Sequence, residues 1–257
     1  MIKNLIKKIL KKFGYVNKSS LPNQKNKLDT LYVLLFALQK KNYKIIQIGA
    51  NDGVTGDDPI NSFIMDYHNS ISYIGFEPQS IPFGRLKKNY QGINNFHFIK
   101  ECVGEEGKNK FYYLNEKYQE LCKKNNWEFS DGINSLLEEN LSRRLLKKNL
   151  SPKDYIDNYE VDVSPLKKSI EKNIQGLSQD FRNIDLLQID AEGYDDKVIY
   201  NSSLDFFKPK YINFEYKNLP KTNLENLIKF LKQNSYECIK WKTSDCLAVI
   251  TNSSENI

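Results

Sequence analysis

The stretch IIQIGANDG, from Ile45 to Gly53, places an apolar run of strand length directly before a turn that contains two glycines. Glycine has no Cβ atom, so Gly49 and Gly53 let the backbone turn sharply and come close to a ligand. A helical pattern follows within a few residues. The glycines lack the GxGxxG spacing of dinucleotide-binding turns. This stretch therefore predicts a strand, turn and helix unit without the dinucleotide-binding pattern, and its turn either binds a ligand or is a purely structural turn.

From Lys44 onward, short apolar runs alternate with helical patterns along the chain. Six runs have the length and composition of strands: KIIQIG from Lys44, SYIGFE from Ser72, FHFIKECV from Phe96, DLLQID from Asp185, YINFEY from Tyr211 and CLAVIT from Cys246. The alternation predicts an α/β fold, with a mostly parallel sheet and helices on both faces. Asp58 and Pro59 are typical of the start of one helix, and Thr222 with Glu225 predicts a capping box on another.

The chain divides into an N-terminal extension, residues 1–27, and one large domain, residues 28–257. Residues 1–15 have apolar positions at helical spacing with lysines between them, which predicts an amphipathic basic helix followed by a linker. We expect this helix to pack on the domain, and contact with an anionic membrane or a partner is the alternative. Residues 115–160 are charged, helical in parts and without a clear strand. They are interpreted as an insertion that shapes the acceptor site.

Composition and charge restrict the classes of partner and the cellular location. The net charge of +6 comes from lysines spread through nearly every segment, so we expect no nucleic acid target. The four cysteines have no metal-type spacing, which predicts reduced thiols and a cytoplasmic location. The apolar run Leu31–Leu38 is too short to span a bilayer, and no secretory signal is expected. The protein would lie at the inner face of the membrane if the predicted N-terminal helix binds the membrane surface.

Acidic residues follow three of the predicted strands. Glu77 ends one strand, where a carboxylate can accept hydrogen bonds from both hydroxyls of a ribose. Asp190 and Glu192 follow another strand, and burying two carboxylates without compensation is too costly for a purely structural role. Glu215 ends a third. Because the carboxyl ends of parallel strands meet at one edge of the sheet, Asp190, Glu192 and Glu215 are candidates for a general base or for metal ligands.

Four motifs, taken in order, resemble the FkbM family of S-adenosylmethionine (SAM) dependent methyltransferases. They are GANDG at Gly49–Gly53, FEP at Phe76–Pro78, IDAEG at Ile189–Gly193 and FE at Phe214–Glu215. The resemblance extends from about Lys44 to Tyr216, and the ID-x-EG element is its most specific part. Gln188 stands where the family's pattern usually carries a lysine, so no role is expected for a lysine at that position.

The resemblance implies a Rossmann-like class I methyltransferase domain with a seven-stranded sheet. It implies that the methionine part of SAM lies over the glycine turn, its ribose on Glu77 and its adenine near Glu101 and Cys102, with Asp190 close to the methyl group. The residues expected on this basis to bind the cofactor are Gln47, Gly49, Ala50, Asn51, Gly53, Glu77, Pro78, Glu101, Cys102 and Asp190. The candidates for the catalytic base are, in falling order, Asp190, Glu192 and Glu215.

The activity that the resemblance implies is O-methylation of a sugar hydroxyl, on a nucleotide-linked or surface-polysaccharide sugar. A divalent metal ion that polarises the hydroxyl is left open, as is the oligomeric state. Three alternatives remain. They are a methyltransferase for a natural-product or lipid acceptor, a nucleotide-binding oxidoreductase on a similar sheet, and a non-catalytic scaffold or membrane-docking module that works through the N-terminal helix.

Overall fold

A computed structural model describes residues 30–54, 58–240 and 244–251. The predicted amphipathic helix and linker at residues 1–27 lie outside the described residues. Among the helices within these ranges, none has both the length and the apolar composition that crossing a membrane requires.

Seven of the strands form one large sheet. The strands are β1 Tyr43–Ile48, β2 Ile71–Phe76, β3 Phe96–Ile99, β4 Cys102–Val103, β5 Gly107–Leu114, β6 Ile156–Ser164, β7 Leu186–Ile189, β8 Tyr211–Glu215, β9 Tyr236–Lys240 and β10 Asp245–Ile250. The order in the large sheet is β3-β2-β1-β7-β8-β10-β9. All neighbours are parallel except β10, which is antiparallel to both β8 and β9. The strand order reverses between β1 and β7, and open α/β sheets bind ligands outside the strand ends at such a point.

Helices cover both faces of this sheet. The helices are α1 Thr30–Phe36, α2 Asn61–Tyr67, α3 Ser80–Asn89, α4 Glu116–Lys124, α5 Glu138–Leu146, α6 Pro152–Tyr155, α7 Leu166–Asn173, α8 Leu177–Asp180, α9 Asp195–Tyr200, α10 Leu204–Phe207 and α11 Lys221–Gln233. Successive strand side chains point to opposite faces. Ile46 and Ile48 therefore pack with α7, α9 and α11, whereas Tyr43 and Ile45 pack with α1, α2 and α3. The predicted mostly parallel seven-stranded sheet with helices on both faces is confirmed.

A second, three-stranded sheet was not predicted. Its order is β4-β6-β5, and β5 pairs antiparallel with β6 along the whole length of β5. The predicted run FHFIKECV is split between the sheets, because β3 belongs to the large one and β4 to the small one. The interpretation of residues 115–160 as free of strands is wrong at the end of that segment, where β6 begins. Most side chains of β6 are exposed and polar, so the strand lacks an apolar run.

Two helix starts differ from the predictions. α2 begins at Asn61, and Asp58 lies before it and accepts a hydrogen bond from the N–H of Asn61 at 3.2 Å. α11 begins at Lys221, directly after Pro220. Thr222 consequently lies within the first turn, and the capping box prediction is wrong because the helix, preceded by Pro220 with its fixed φ, begins two residues earlier than a threonine cap at position 222 would allow.

Candidate active site

A cavity of about 260 Å³ lies at the carboxyl ends of β1, β2 and β7, where the strand order reverses. Its wall is formed by the turns that follow these strands and by residues 130–136, which lie between β5 and β6. The predicted site residues that line it are Gln47, Gly49, Ala50, Asn51, Glu77, Pro78, Glu101, Cys102, Asp190 and Glu192. Gly53 and Glu215 do not line it. The structure thus brings ten of the twelve predicted residues to one cavity.

The turn after β1 is held between the two neighbouring strands. The N–H groups of Gly49 and Ala50 both donate to the carbonyl oxygen of Phe76, at 3.0 and 2.9 Å. Gly49 has φ +76°, and a Cβ atom there would lie 1.9 Å from the carbonyl oxygen of Asp190. No side chain fits in that space. Glycine is therefore required where the first turn meets the loop that carries Asp190.

Asn51, in the same turn, has a buried amide oxygen that lacks a donor. Its Oδ1 atom accepts no hydrogen bond from the part of the chain that the structure describes. A buried acceptor that lost its water without gaining a donor is unfavourable by roughly 1–3 kcal/mol. Because Asn51 lines the cavity, an N–H group of a bound molecule can satisfy this atom.

Glu77 connects the second turn to the first. Its side chain is buried, and its carboxylate accepts hydrogen bonds from the N–H groups of Asn51 at 3.0 Å and Gln79 at 2.8 Å. Both bonds come from the backbone, so the position of the carboxylate follows that of the two turns. The acidic residue predicted to meet a ribose is thus held rigidly on the cavity wall.

Three residues predicted to bind the cofactor have surroundings that the sequence did not indicate. Gly53 packs under α3, where a Cβ atom would lie 2.5 Å from the ring of Tyr90. The carboxylate of Glu101 accepts hydrogen bonds from Lys172 and Ser169 on α7, so its charged end faces that helix. Cys102 is buried, and burial raises the pKa of its thiol to about 12. This thiol is therefore protonated at neutral pH.

Asp190 presents its side chain to the cavity. It is accessible to solvent there, and its carboxylate has no hydrogen-bond partner among the described residues. Surrounding protein partly desolvates it, which raises its pKa well above the ordinary range, and the negative charges of Asp195, Glu192 and Glu215 raise it further. A carboxylate with a raised pKa is a stronger base than an ordinary one.

The other two candidate bases are held by neighbouring side chains. Glu192 accepts hydrogen bonds from Arg144 at 2.7 Å and from Asn218 at 3.0 Å, both on Oε2. Burial raises its pKa to about 7, against the opposing effect of Arg144. Glu215 accepts from the same Asn218 amide at 2.6 Å. Of the three, Asp190 has the carboxylate that both faces the cavity and lacks a partner within the described chain.

Asp195 is the first residue of α9, and its side chain is fully buried. It accepts hydrogen bonds from the N–H groups of Gly193 and Glu215, at 3.2 and 3.0 Å. Burial raises its pKa to about 8. Asp195 therefore joins the loop after β7 to the end of β8. A carboxylate at the first position of a helix is usually exposed, so the sequence carried no signal for this role.

The described residues include no group of three or more histidine, cysteine, aspartate or glutamate side chains arranged to hold a metal ion. The amide nitrogen of Asn218 donates to Oε2 of both Glu192 and Glu215, and it therefore occupies the position between these two carboxylates. The structure therefore does not support the interpretation of Asp190, Glu192 and Glu215 as a metal-binding trio.

Comparisons with known proteins identify a family and several solved structures with limited similarity. A family model described as the methyltransferase FkbM domain matches residues 47–238. No curated protein matches the chain. One similar solved structure is the ribosomal protein L11 methylase from Lactobacillus delbrueckii subsp. bulgaricus, with a TM-score of 0.41, 10% identity, and coverage of 86% of this chain and 76% of that one.

Two further solved structures cover nearly all of this chain. One is a TehB-like SAM-dependent methyltransferase from Corynebacterium glutamicum, with a TM-score of 0.40, 8% identity, and coverage of 98% of this chain and 100% of that one. The other is magnesium protoporphyrin IX methyltransferase from Synechocystis PCC 6803, solved with bound SAM, with a TM-score of 0.40, 8% identity and 98% coverage of both chains.

Proposed function

The chain belongs to the FkbM family of methyltransferases, and from that premise we propose that it transfers a methyl group from SAM to a hydroxyl oxygen of a sugar. It is a SAM-dependent methyltransferase with a Rossmann-like class I fold. The acceptor is proposed to be a nucleotide-linked or surface-polysaccharide sugar. The observation that carries O-methylation is Asp190, a carboxylate with a raised pKa that faces the cavity beside the glycine turn. A hydroxyl needs such a base, because it is a weak nucleophile while it keeps its proton.

The cavity residues fit SAM as the methyl donor. The unpartnered Oδ1 of Asn51 is suited to accept from the ammonium group of the methionine part. Glu77 is held on the wall at the end of β2, where its carboxylate would meet the ribose. The cofactor-binding set proposed is Gln47, Gly49, Ala50, Asn51, Glu77, Pro78, Glu101, Cys102 and Asp190, and Gly53 acts through the packing of the turn. When bound, SAM supplies an electrophilic methyl group and keeps the electron pair of the broken S–C bond.

The protein contributes a base and a fixed geometry. Asp190 accepts the proton of the acceptor hydroxyl while the hydroxyl oxygen forms the new C–O bond. The negative charges of Glu192 and Glu215 increase the proton affinity of Asp190. Fixing donor and acceptor in line supplies most of the remaining rate enhancement. The turn that carries Gly49 contacts the loop that carries Asp190, so the sites for donor and base are built as one unit.

The test of this function is methyl transfer to defined sugars. The purified protein is incubated with SAM and UDP-glucose, UDP-galactose or GDP-mannose, with and without Mg²⁺ or Mn²⁺, and the products are analysed by mass spectrometry. We expect one of the sugars to gain the mass of one methyl group, and the metal arms show whether an ion is required. No methylated sugar would favour a natural-product or lipid acceptor. Binding of NAD in place of SAM would favour the oxidoreductase alternative.

The rate of methyl transfer is expected to rise with pH. Only deprotonated Asp190 accepts a proton, and its raised pKa moves the midpoint of the profile well above about 4, the ordinary value for aspartate. The measurement is kcat/KM from about pH 5 to about pH 9. Glu192→Gln removes a negative charge beside Asp190, so the midpoint should move to lower pH. A midpoint in the ordinary range, or one that does not move in this variant, would contradict the role of Asp190.

The stability of the folded protein is expected to fall as pH rises. The folded-state pKa values of Glu192, about 7, and Asp195, about 8, lie above those of unfolded carboxyl groups. At pH values between the unfolded-state pKa of a carboxyl group, about 4, and these folded-state values, the folded protein binds more protons than the unfolded chain. The free energy of unfolding, measured by urea titration, should therefore fall as pH rises from about 4 to about 8. A constant or rising value would show that these carboxyl groups are ionised without penalty.

Several finer points stay predictions. The contact of residues 130–136 with the cavity supports a role in acceptor binding for the segment 115–160. The cytoplasmic location follows from the cysteine pattern alone. Contact with the inner face of a membrane depends on residues 1–27, and the oligomeric state is open.

A further inference from the structure

The carboxylate of Glu192 is held by one oxygen and leaves the other one available. Arg144 and Asn218 both donate to Oε2, and Oε1 accepts no hydrogen bond from the residues that the structure describes. The side chain is only 12% exposed, and the residue lines the cavity. Such an arrangement orients a carboxylate and keeps one oxygen as an acceptor for a bound molecule.

The backbone of Glu192 is fixed by the same segment of the chain that carries Arg144. Its φ is +49°, in the left-handed region. Its carbonyl oxygen accepts hydrogen bonds from Ser135, at 3.0 Å, and from Asn140. Ser135, Asn140 and Arg144 all belong to the segment between β5 and β6, so this segment holds both the main chain and the side chain of Glu192. The orientation of Oε1 is therefore set before any acceptor binds.

We propose that Glu192 binds a second hydroxyl of the acceptor through Oε1, that Arg144 is its positioning residue, and that the acceptor is consequently a vicinal diol. This inference rests on the proposed function. Asp190 takes the proton of the hydroxyl that is methylated, and Glu192, two residues further along the same loop, accepts a hydrogen bond from the adjacent hydroxyl. Sugars carry such pairs of hydroxyl groups, whereas an isolated alcohol satisfies only one of the two carboxylates.

Arg144 is suited to this role by charge as well as by position. The charged groups that act on Glu192 are Arg144 and Lys217, both positive, and Glu215, which is negative; Asp190 lies beside it in the loop. Removing Arg144 takes away both a hydrogen bond to Oε2 and the nearer positive charge. The carboxylate of Glu192 would then be held by Asn218 alone and less firmly oriented, and a carboxyl group left without its cation in a partly buried place tends to bind a proton.

The experiment compares acceptors that differ by one hydroxyl. UDP-glucose and GDP-mannose are tested against their 2-, 3- and 4-deoxy derivatives, with wild type, Arg144→Ala and Arg144→Lys. For the wild-type protein, loss of the hydroxyl adjacent to the methylated one should lower kcat/KM by at least about tenfold. Arg144→Ala should raise KM for the parent sugar by about tenfold and remove this discrimination. Arg144→Lys should restore part of the affinity for the parent sugar and part of the discrimination, because the positive charge remains.

Two controls separate positioning from general damage. Arg143→Ala alters the neighbouring residue of α5, whose exposed side chain pairs with Glu139 at 3.4 Å and, within the described ranges, with no other acidic residue. It should change neither KM for the parent sugar nor the discrimination against deoxy sugars. In a Glu192→Ala background, adding Arg144→Ala should have no further effect, because Arg144 acts through Glu192. SAM affinity, measured by calorimetry on every variant, verifies that the fold is intact. If Arg144→Ala fails to bind SAM, the comparison is made with Arg144→Lys.

The outcomes distinguish this inference from the function on which it rests. Equal methylation by the wild-type protein of a sugar and of the deoxy derivatives that keep the methylated hydroxyl but lack an adjacent one would overturn the diol inference and leave O-methylation of sugars intact. Unchanged discrimination in Arg144→Ala would overturn the positioning role. Methylation of none of the sugars would overturn the proposed acceptor class, and the diol inference with it.

Discussion

Replacing Asp190 with asparagine is expected to slow methyl transfer by about 10²–10⁴-fold, the range typical of losing a general base. Asparagine keeps the size of the side chain but cannot take the proton of the acceptor hydroxyl. The carboxylate of Asp190 has no hydrogen-bond partner in the described chain, so its replacement breaks no side-chain hydrogen bond there. The measurement is kcat on a methylated sugar, with SAM affinity followed by calorimetry. SAM affinity should change little.

The matched control is Glu215→Gln, which alters a carboxylate in the same cluster that does not line the cavity. Its effect on kcat should be less than about tenfold, because glutamine keeps an oxygen that can accept from Asn218 and the change mainly removes a negative charge near Asp190. Near-normal activity of Asp190→Asn, combined with a large loss in Glu192→Gln, would transfer the role of base to Glu192. The hydrogen bonds that hold Glu192 on Oε2 make that result unexpected.

The central strands and their turns were predictable because they are buried on both faces. β1, β2, β7 and β8 are short apolar runs, and each predicted run agrees with the observed strand to within one or two residues. β5 and β6 were not predicted, because they pair with each other and expose many polar side chains. Their pairing joins residues about fifty positions apart in the chain, which a local pattern does not reveal.

The location of the candidate site was also predictable, but the state of each residue in it was not. Parallel strands bring their carboxyl ends to one edge, so Glu77, Asp190 and Glu192 had to lie near each other. Whether a carboxylate can contact a bound molecule depends on hydrogen-bond partners that are far away in the sequence. Arg144 reaches Glu192 across 48 positions, and Lys172 reaches Glu101 across 71. Such contacts are set by tertiary packing, on which a single sequence is silent.

Replacing Gly49 with alanine is expected to destabilise the protein by about 2–5 kcal/mol, the sum of a positive φ and of an overlap in a packed site. The added Cβ atom would lie 1.9 Å from the carbonyl oxygen of Asp190. The turn and the loop after β7 must then move apart, which separates the donor site from the base. A displacement of about 1 Å is enough to slow methyl transfer by about 10²-fold. Urea unfolding, SAM calorimetry and kcat measure the three effects.

Gly84→Ala is the matched control, because it adds the same methyl group at a glycine of the same chain. Gly84 lies exposed within α3, and a Cβ atom there would meet nothing within 4 Å. Alanine favours helix over glycine, so this variant should gain about 0.5–1 kcal/mol and keep its activity. If Gly49→Ala were as stable and active as Gly84→Ala, the close approach of the turn to Asp190 would be dispensable. The proposal that this contact joins donor site and base would then fail, since the contact is the physical connection between them.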